Sequence, residues 1–248
     1  MIAFNKEQIY IVTGASSGIG KAVALLLNEL GASVIAIARD KERLESMRAE
    51  SKNPNNIYIE IKDLCDDIET LPTYIKSLKE KYGKLSGMAY CAGIGNATSI
   101  QSVEIDSIKK VFDINYYTPV FMTKGVIDKR NNIGSGTSIV VISSIASVYF
   151  DKGMSIYCGA KAALNASMKV ISKEVAKNKI RVNCLSPSLI NTPLLEDFTF
   201  DEEKSYLDSY PFGIGEPNDV ANMTIFLLSN KAKYLSGQNY IIDSGGVV

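Results

Sequence analysis

Seven short apolar runs punctuate the chain, at residues 8–13, 33–38, 57–61, 85–91, 138–143, 180–185 and 239–243. Longer stretches patterned for helices lie between them. Strand-length runs alternating with helical segments predict a parallel seven-stranded sheet with helices on both faces. That is a doubly wound α/β fold, read as a single domain over residues 1–248. The run Ser33-Val-Ile-Ala-Ile-Ala38 is apolar almost throughout, as a strand covered on both sides should be. Turn residues at Asn53-Pro-Asn-Asn56 and Asn131-Asn-Ile-Gly-Ser-Gly136 read as surface connections. No repeat or low-complexity linker divides the chain. From Ser186 to Pro217 the pattern loosens, before a helix expected to begin near Asn218. A connection of that length is usually functional or mobile.

Composition narrows the chemistry. With 46% apolar and 22% charged residues, the 248-residue chain is ordinary for a globular protein with a substantial core. Lysine plus arginine equals aspartate plus glutamate at 27 each, so net charge points to neither nucleic acid nor a membrane surface. No apolar run approaches membrane-spanning length, and Met1 to Gln8 is too short for a secretory signal before the first strand. A soluble, cytoplasmic protein is expected. Histidine is absent, which removes a Ser-His-Asp triad, His-ligated zinc or haem and a His general base, and no metal site is expected. Cys65, Cys91, Cys158 and Cys184 lack paired spacing and read as reduced thiols, Cys91 and Cys158 as either reactive groups or small buried residues.

Candidate chemistry gathers in two places. The strand Gln8-Ile-Tyr-Ile-Val-Thr13 runs straight into Gly14-Ala-Ser-Ser-Gly18-Ile-Gly20 and an apolar helical run. Glycines there permit a tight turn and close approach to a pyrophosphate, held by amides at the helix amino terminus. Farther on, Ser143 and Ser144 end a buried strand, and Tyr157 and Lys161 stand four apart, which puts both on one helix face. A tyrosine titrates near 10, so exchanging a proton near neutrality needs a shift of about 3 units, or about 4 kcal/mol. The Lys161 cation would supply part of it.

The TGxxxGxG spacing together with Ser144, Tyr157 and Lys161 resembles the short-chain dehydrogenase/reductase family. The resemblance extends through Asp63-Leu64, Tyr90-Cys-Ala-Gly93, Asn115, Asn183-Cys-Leu-Ser-Pro-Ser188, Thr192 and Asp243-Ser-Gly-Gly246. It implies a Rossmann-like fold, a homotetramer, and an NAD(P)-dependent enzyme that interconverts a carbonyl and a secondary alcohol. The implied catalytic set is Asn115, Ser144, Tyr157 and Lys161: Tyr157 the acid/base, Ser144 on the substrate oxygen, Lys161 on the nicotinamide ribose, and Asn115 keeping a helix kinked around water. The implied cofactor contacts are Gly14, Ser16, Ser17, Gly18, Ile19, Gly20, Arg39, Asp63, Leu64, Ala92, Gly93, Tyr157, Lys161, Pro187 and Thr192. The segment at about 188–216 would form a lid over substrate, made apolar by Leu189, Leu194, Leu195, Phe198, Phe200, Tyr206, Tyr210 and Phe212.

Arg39 follows the second strand, where a cation suits an adenosine 2′-phosphate, so NADP(H) is favoured. The competing reading, in which Arg39 is merely solvated and Asp40 reaches the ribose, leaves NAD(H) open. Tyr90-Cys91 replaces the family's usual Asn-Asn, so packing is expected to replace side-chain bracing there. The substrate is a small or medium, apolar carbonyl or alcohol on this reading. A 3-oxoacyl carrier-protein reductase is the runner-up, with Lys129, Arg130 and Lys173 either meeting an acyl carrier protein or simply solvated. A sugar or glycan-precursor oxidoreductase and a catalytically silent dinucleotide-binding regulator are the further alternatives.

Overall fold

A computed structural model describes residues 1–197 and 210–246. The seven apolar runs form β1 (Ile9–Thr13), β2 (Ser33–Ala38), β3 (Ile57–Ile61), β4 (Leu85–Tyr90), β5 (Ser138–Ile142), β6 (Arg181–Pro187) and β7 (Asn239–Ile242). All pair in parallel, in the order β3-β2-β1-β4-β5-β6-β7. The helices are α1 (Gly18–Glu29), α2 (Lys41–Glu50), α3 (Leu71–Tyr82), α4 (Ile105–Phe112), α5 (Thr118–Val126), α6 (Ser155–Val175) and α7 (Pro217–Leu228).

Alternation along each strand sends neighbouring side chains into two separate cores. Tyr10, Val12, Val34 and Ala36 pack with Val23, Leu27, Val220 and Ile225 of α1 and α7. Ile9, Ile11, Ile35 and Ile37 pack on the other face with Ile75, Met122, Leu164 and Met168 of α3, α5 and α6. Both faces of β1 and β2 are therefore buried, which is why their sequences are apolar almost throughout.

Strand order reverses between β1 and β4, and in such sheets ligands lie in the crevice beyond the strand ends at that point. Thr13 Oγ1 bridges the crevice floor, accepting from Cys91 N at 3.0 Å and Ala92 N at 3.1 Å. At the β6 end, buried Arg181 donates to the carbonyls of Leu227 (2.6 Å), Leu228 (3.4 Å) and Ser229 (3.0 Å), capping α7.

Two expectations need correcting. Asn131 and Asn132 are buried, because their amides satisfy the last carbonyls of α5, Gly125 (2.9 Å) and Val126 (2.8 Å). The segment 131–136 is thus a surface connection only in its later part. Packing is not the whole replacement at Tyr90 either: its hydroxyl donates to the Ile114 carbonyl at 2.8 Å, bracing β4 against the π-turn that follows α4.

Candidate active site

A cavity of about 780 Å³ opens along the carboxyl ends of the strands. Every residue expected to contact the cofactor lines it, from Gly14 to Thr192, as do Ser144, Tyr157 and Lys161. Asn115 stands behind the wall, fully buried, with its neighbour Ile114 at the surface of the cavity.

The glycine turn is built for a phosphate. A Cβ on Gly20 would run into the Gly14 carbonyl, so only glycine lets the first turn of α1 lie against the end of β1. Ser17, the N-cap of α1, makes no side-chain capping bond, and the first turn holds no acidic residue. Its amides are left to an external anion. Together with the switch-point cavity, these features fit a nicotinamide dinucleotide.

At the adenosine end, Arg39 is largely exposed and lies 3.5 Å from Asp63. Asp40 caps α2, accepting from Arg43 N at 3.0 Å, and pairs with the Arg43 side chain at 3.3 Å. Arg43, Lys62 and Lys110 also line the cavity, and none of the three belongs to the sequence motifs. Arg43 carried a signal, one turn beyond Arg39 at the start of a helix. Lys62 and Lys110 carried none, since only the folded sheet brings them to this rim.

At the other end, Ser144 leaves β5 extended, and its Oγ accepts from Ala146 N at 3.2 Å and stands near enough to the Tyr157 phenol to influence its titration. Burial pushes Tyr157 up to about 12, and the Ser144 hydroxyl works in the opposite direction. Lys161, also buried, lies with its ammonium 5.7 Å from the Tyr157 ring centroid and donates to the Ile142 carbonyl at 3.1 Å. Burial lowers it to about 8, against the opposing influence of Cys184 and Cys91. Burial of the phenolate is the largest influence on Tyr157, with the Ser144 hydroxyl opposing it. The thiols are not activated: burial raises all four, Cys91 and Cys184 to about 12.

Asn115 sits in a π-helical turn, Asp113–Tyr117, that joins α4 to α5. Pro119 accounts for it, since it has no N–H for the Asn115 carbonyl four residues back. The Asn115 amide donates to the Ile94 carbonyl at 3.0 Å, while its Oδ1 is buried without a partner among the described residues. A Cβ on Gly93 would fall 2.9 Å from that Oδ1 and 3.7 Å from Lys161 Nζ. Glycine therefore keeps the floor open where the two polar groups converge.

The family model described as enoyl-(acyl carrier protein) reductase matches residues 14–246. The chain belongs to the short-chain dehydrogenase/reductase family. Within that family it is 33% identical to a 3-oxoacyl-acyl-carrier-protein reductase of Rickettsia conorii over 238 residues, 95% of each chain. It is 30% identical to an L-rhamnose 1-dehydrogenase (NAD(P)(+)) of a Sphingomonas species, over 95% of this chain and 94% of the relative. Its fold is similar to that of a Burkholderia cenocepacia short chain dehydrogenase in complex with NADP, with TM-score 0.88 and 24% identity over 97% and 98% of the two chains. As a member of this short-chain family, the protein is an oxidoreductase that interconverts carbonyl and alcohol groups with a nicotinamide dinucleotide.

Of the apolar residues expected in a lid, Leu189, Leu194 and Leu195 line the cavity. Tyr210 is buried, and Phe212 is exposed. Phe198, Phe200 and Tyr206 lie outside the described residues. Opposite, Ile94, Tyr149, Asp151 and Met154 complete the wall, none of them expected from the sequence. Thr98 N donates to Gly153 O at 2.7 Å, tying the loop after β4 to the one before α6.

Proposed function

We propose that the protein uses NADPH to reduce a small or medium, largely apolar ketone or aldehyde, with Tyr157 donating the proton, in one catalytic domain with a lid at about 188–216. The observation that carries this reading is the convergence of Ser144, Tyr157 and Lys161 on one wall of the cavity, with Asn115 behind it. When bound, a reduced nicotinamide supplies the hydride. Tyr157, held protonated by burial, would give its proton to a nascent alkoxide. Ser144 would hold the carbonyl oxygen, and Lys161 would bind the nicotinamide ribose. Asn115 Oδ1 and Lys161 Nζ, converging at Gly93, would hold the water that returns a proton to Tyr157.

The preference for NADP(H) rests on Arg39 and Arg43, two guanidinium groups at the adenosine end with only exposed carboxylate partners. The apolar substrate rests on Ile94, Met154, Leu189 and Leu194, with Asp151 as the acidic side chain on that part of the wall. A 3-oxoacyl thioester on an acyl carrier protein is the second reading, supported by the name of the Rickettsia relative. Of the cations that would meet such a carrier, Arg130 is already engaged by Asp128 at 2.7 and 3.0 Å, which weakens its part. Homotetramer assembly would cover Ile105, Tyr117 and Val170, exposed on or beside α4, α5 and α6. A cytoplasmic location accords with four free cysteines.

The test is NADPH consumption with a panel of ketones, aldehydes and a short 3-oxoacyl thioester, beside Tyr157→Phe. Tyrosine-dependent turnover supports the reading, and the best substrate separates its two forms. Tight NADPH binding with no turnover across the panel would overturn it in favour of a silent binding protein.

A further inference from the structure

Asn165 follows Tyr157 and Lys161 at four-residue steps along α6, so the three side chains share one helix face. Its Nδ2 donates to Ser147 Oγ at 2.7 Å. Ser147 Oγ in turn donates to the Ser144 carbonyl at 2.6 Å, alongside Ser147 N, which reaches the same oxygen at 2.9 Å. Behind Ser147 stands Ser186 Oγ at 3.2 Å, itself bonded to Asn239 Oδ1 at 2.7 Å. Ser147 and Ser186 are both buried.

These bonds cross a gap that the chain does not close by itself. Ser144 and Tyr157 belong to different elements, and the segment joining them includes Val148, Tyr149 and Phe150, all exposed. Such a connection does not hold two catalytic groups to a fraction of an ångström. We infer that Asn165 and Ser147 are positioning residues, a clamp from α6 to the Ser144 peptide that sets the separation of the Ser144 hydroxyl from the Tyr157 phenol.

Proton accounting gives the clamp its direction. Ser147 has one hydroxyl proton, committed to the Ser144 carbonyl, so toward α6 it can only accept. An asparagine amide supplies that donor and an aspartate would not. Asn165 Oδ1 is buried without a partner among the described residues, beside a cavity of about 30 Å³ lined by Asn165, Asn183 and Asn239. That is room for one water, which would hold the amide with its nitrogen toward Ser147.

The inference rests on the oxidoreductase reading for its kinetic arm only. Ser147→Ala, Asn165→Asp and their double variant would be compared with the wild-type chain in three measurements. These are kcat and KM for the best carbonyl substrate, NADPH affinity by fluorescence, and the NMR resonance of ring-labelled Tyr157, assigned with Tyr157→Phe. Misplacement of a reacting group by about 1 Å costs roughly 100-fold, so kcat should fall about 10- to 100-fold. NADPH affinity should hold, the Tyr157 resonance should move, and the double variant should be no worse than the poorer single one. Ser147→Cys, of similar volume but a weaker donor and acceptor, should give the same pattern more mildly if Ser147→Ala does not fold. An unmoved Tyr157 resonance, or kcat losses that multiply in the double variant, would overturn the clamp. If the wild-type chain reduces nothing, the oxidoreductase reading fails and the tyrosine resonance still decides the clamp.

Discussion

Lys161 Nζ donates to the Ile142 carbonyl at 3.1 Å, a buried ammonium held by the last residue of β5. Burial lowers it from 10.5 to about 8. The folded state therefore carries a charge it disfavours at neutral pH. Below about 8 both states are protonated and the cost is full. Between about 8 and 10.5 the folded state sheds the proton first, and the cost fades as pH rises. Lys161→Met should raise the unfolding free energy at pH 7 by up to about 3 kcal/mol, with less gain near pH 10, while abolishing turnover. Denaturation curves at the two pH values check it, and a loss of stability at both would refute it.

Tyr157 leads to a pH asymmetry between the two reaction directions. A phenol pushed up to about 12 is present almost wholly as the protonated form at neutrality, and its phenolate is scarce. Ketone reduction should be nearly flat through neutral pH, whereas alcohol oxidation should climb steadily into the alkaline range. Initial rates in both directions measure this. An oxidation plateau at neutral pH would mean that cofactor binding brings the phenol far down.

Cofactor choice is testable at two arginines. Arg39→Glu should weaken NADPH binding about 10- to 100-fold, the worth of a charge-assisted hydrogen bond, and Arg43→Glu should do so by a similar factor. NADH should change little in either. Titration of both nucleotides against both variants decides it, and equal losses for NADH would remove the 2′-phosphate from the account.

Stability at the α1–β3 corner should depend on Asn28. Its amide donates to Asn53 O at 2.9 Å, its Oδ1 accepts from Asn53 N at 2.8 Å, and Asn53 Nδ2 returns a bond to Asn28 O at 3.1 Å. Asn28 is fully buried, so Asn28→Ala strands partners away from water and should cost about 2–3 kcal/mol without altering kcat. Urea denaturation beside steady-state kinetics tests both halves.

What the sequence determined by itself is whatever local physics controls. The apolar runs appear as strands almost at their expected bounds, because the central strands are buried on both faces and most of their residues are therefore apolar. The glycine turn was legible because backbone sterics demand it, and Tyr157 and Lys161 because helix geometry alone puts them on one face. Tertiary structure decided what pairs across distance. Thr13 meets Cys91 across 78 positions, Tyr90 braces Ile114 rather than only packing, and Asn131 and Asn132 turn inward to finish α5. Lys62, Lys110 and Asp151 join the cavity by the same route. Burial, too, is a property of the assembled fold, so a lysine four residues away could not reveal that Tyr157 would be driven up and Lys161 down.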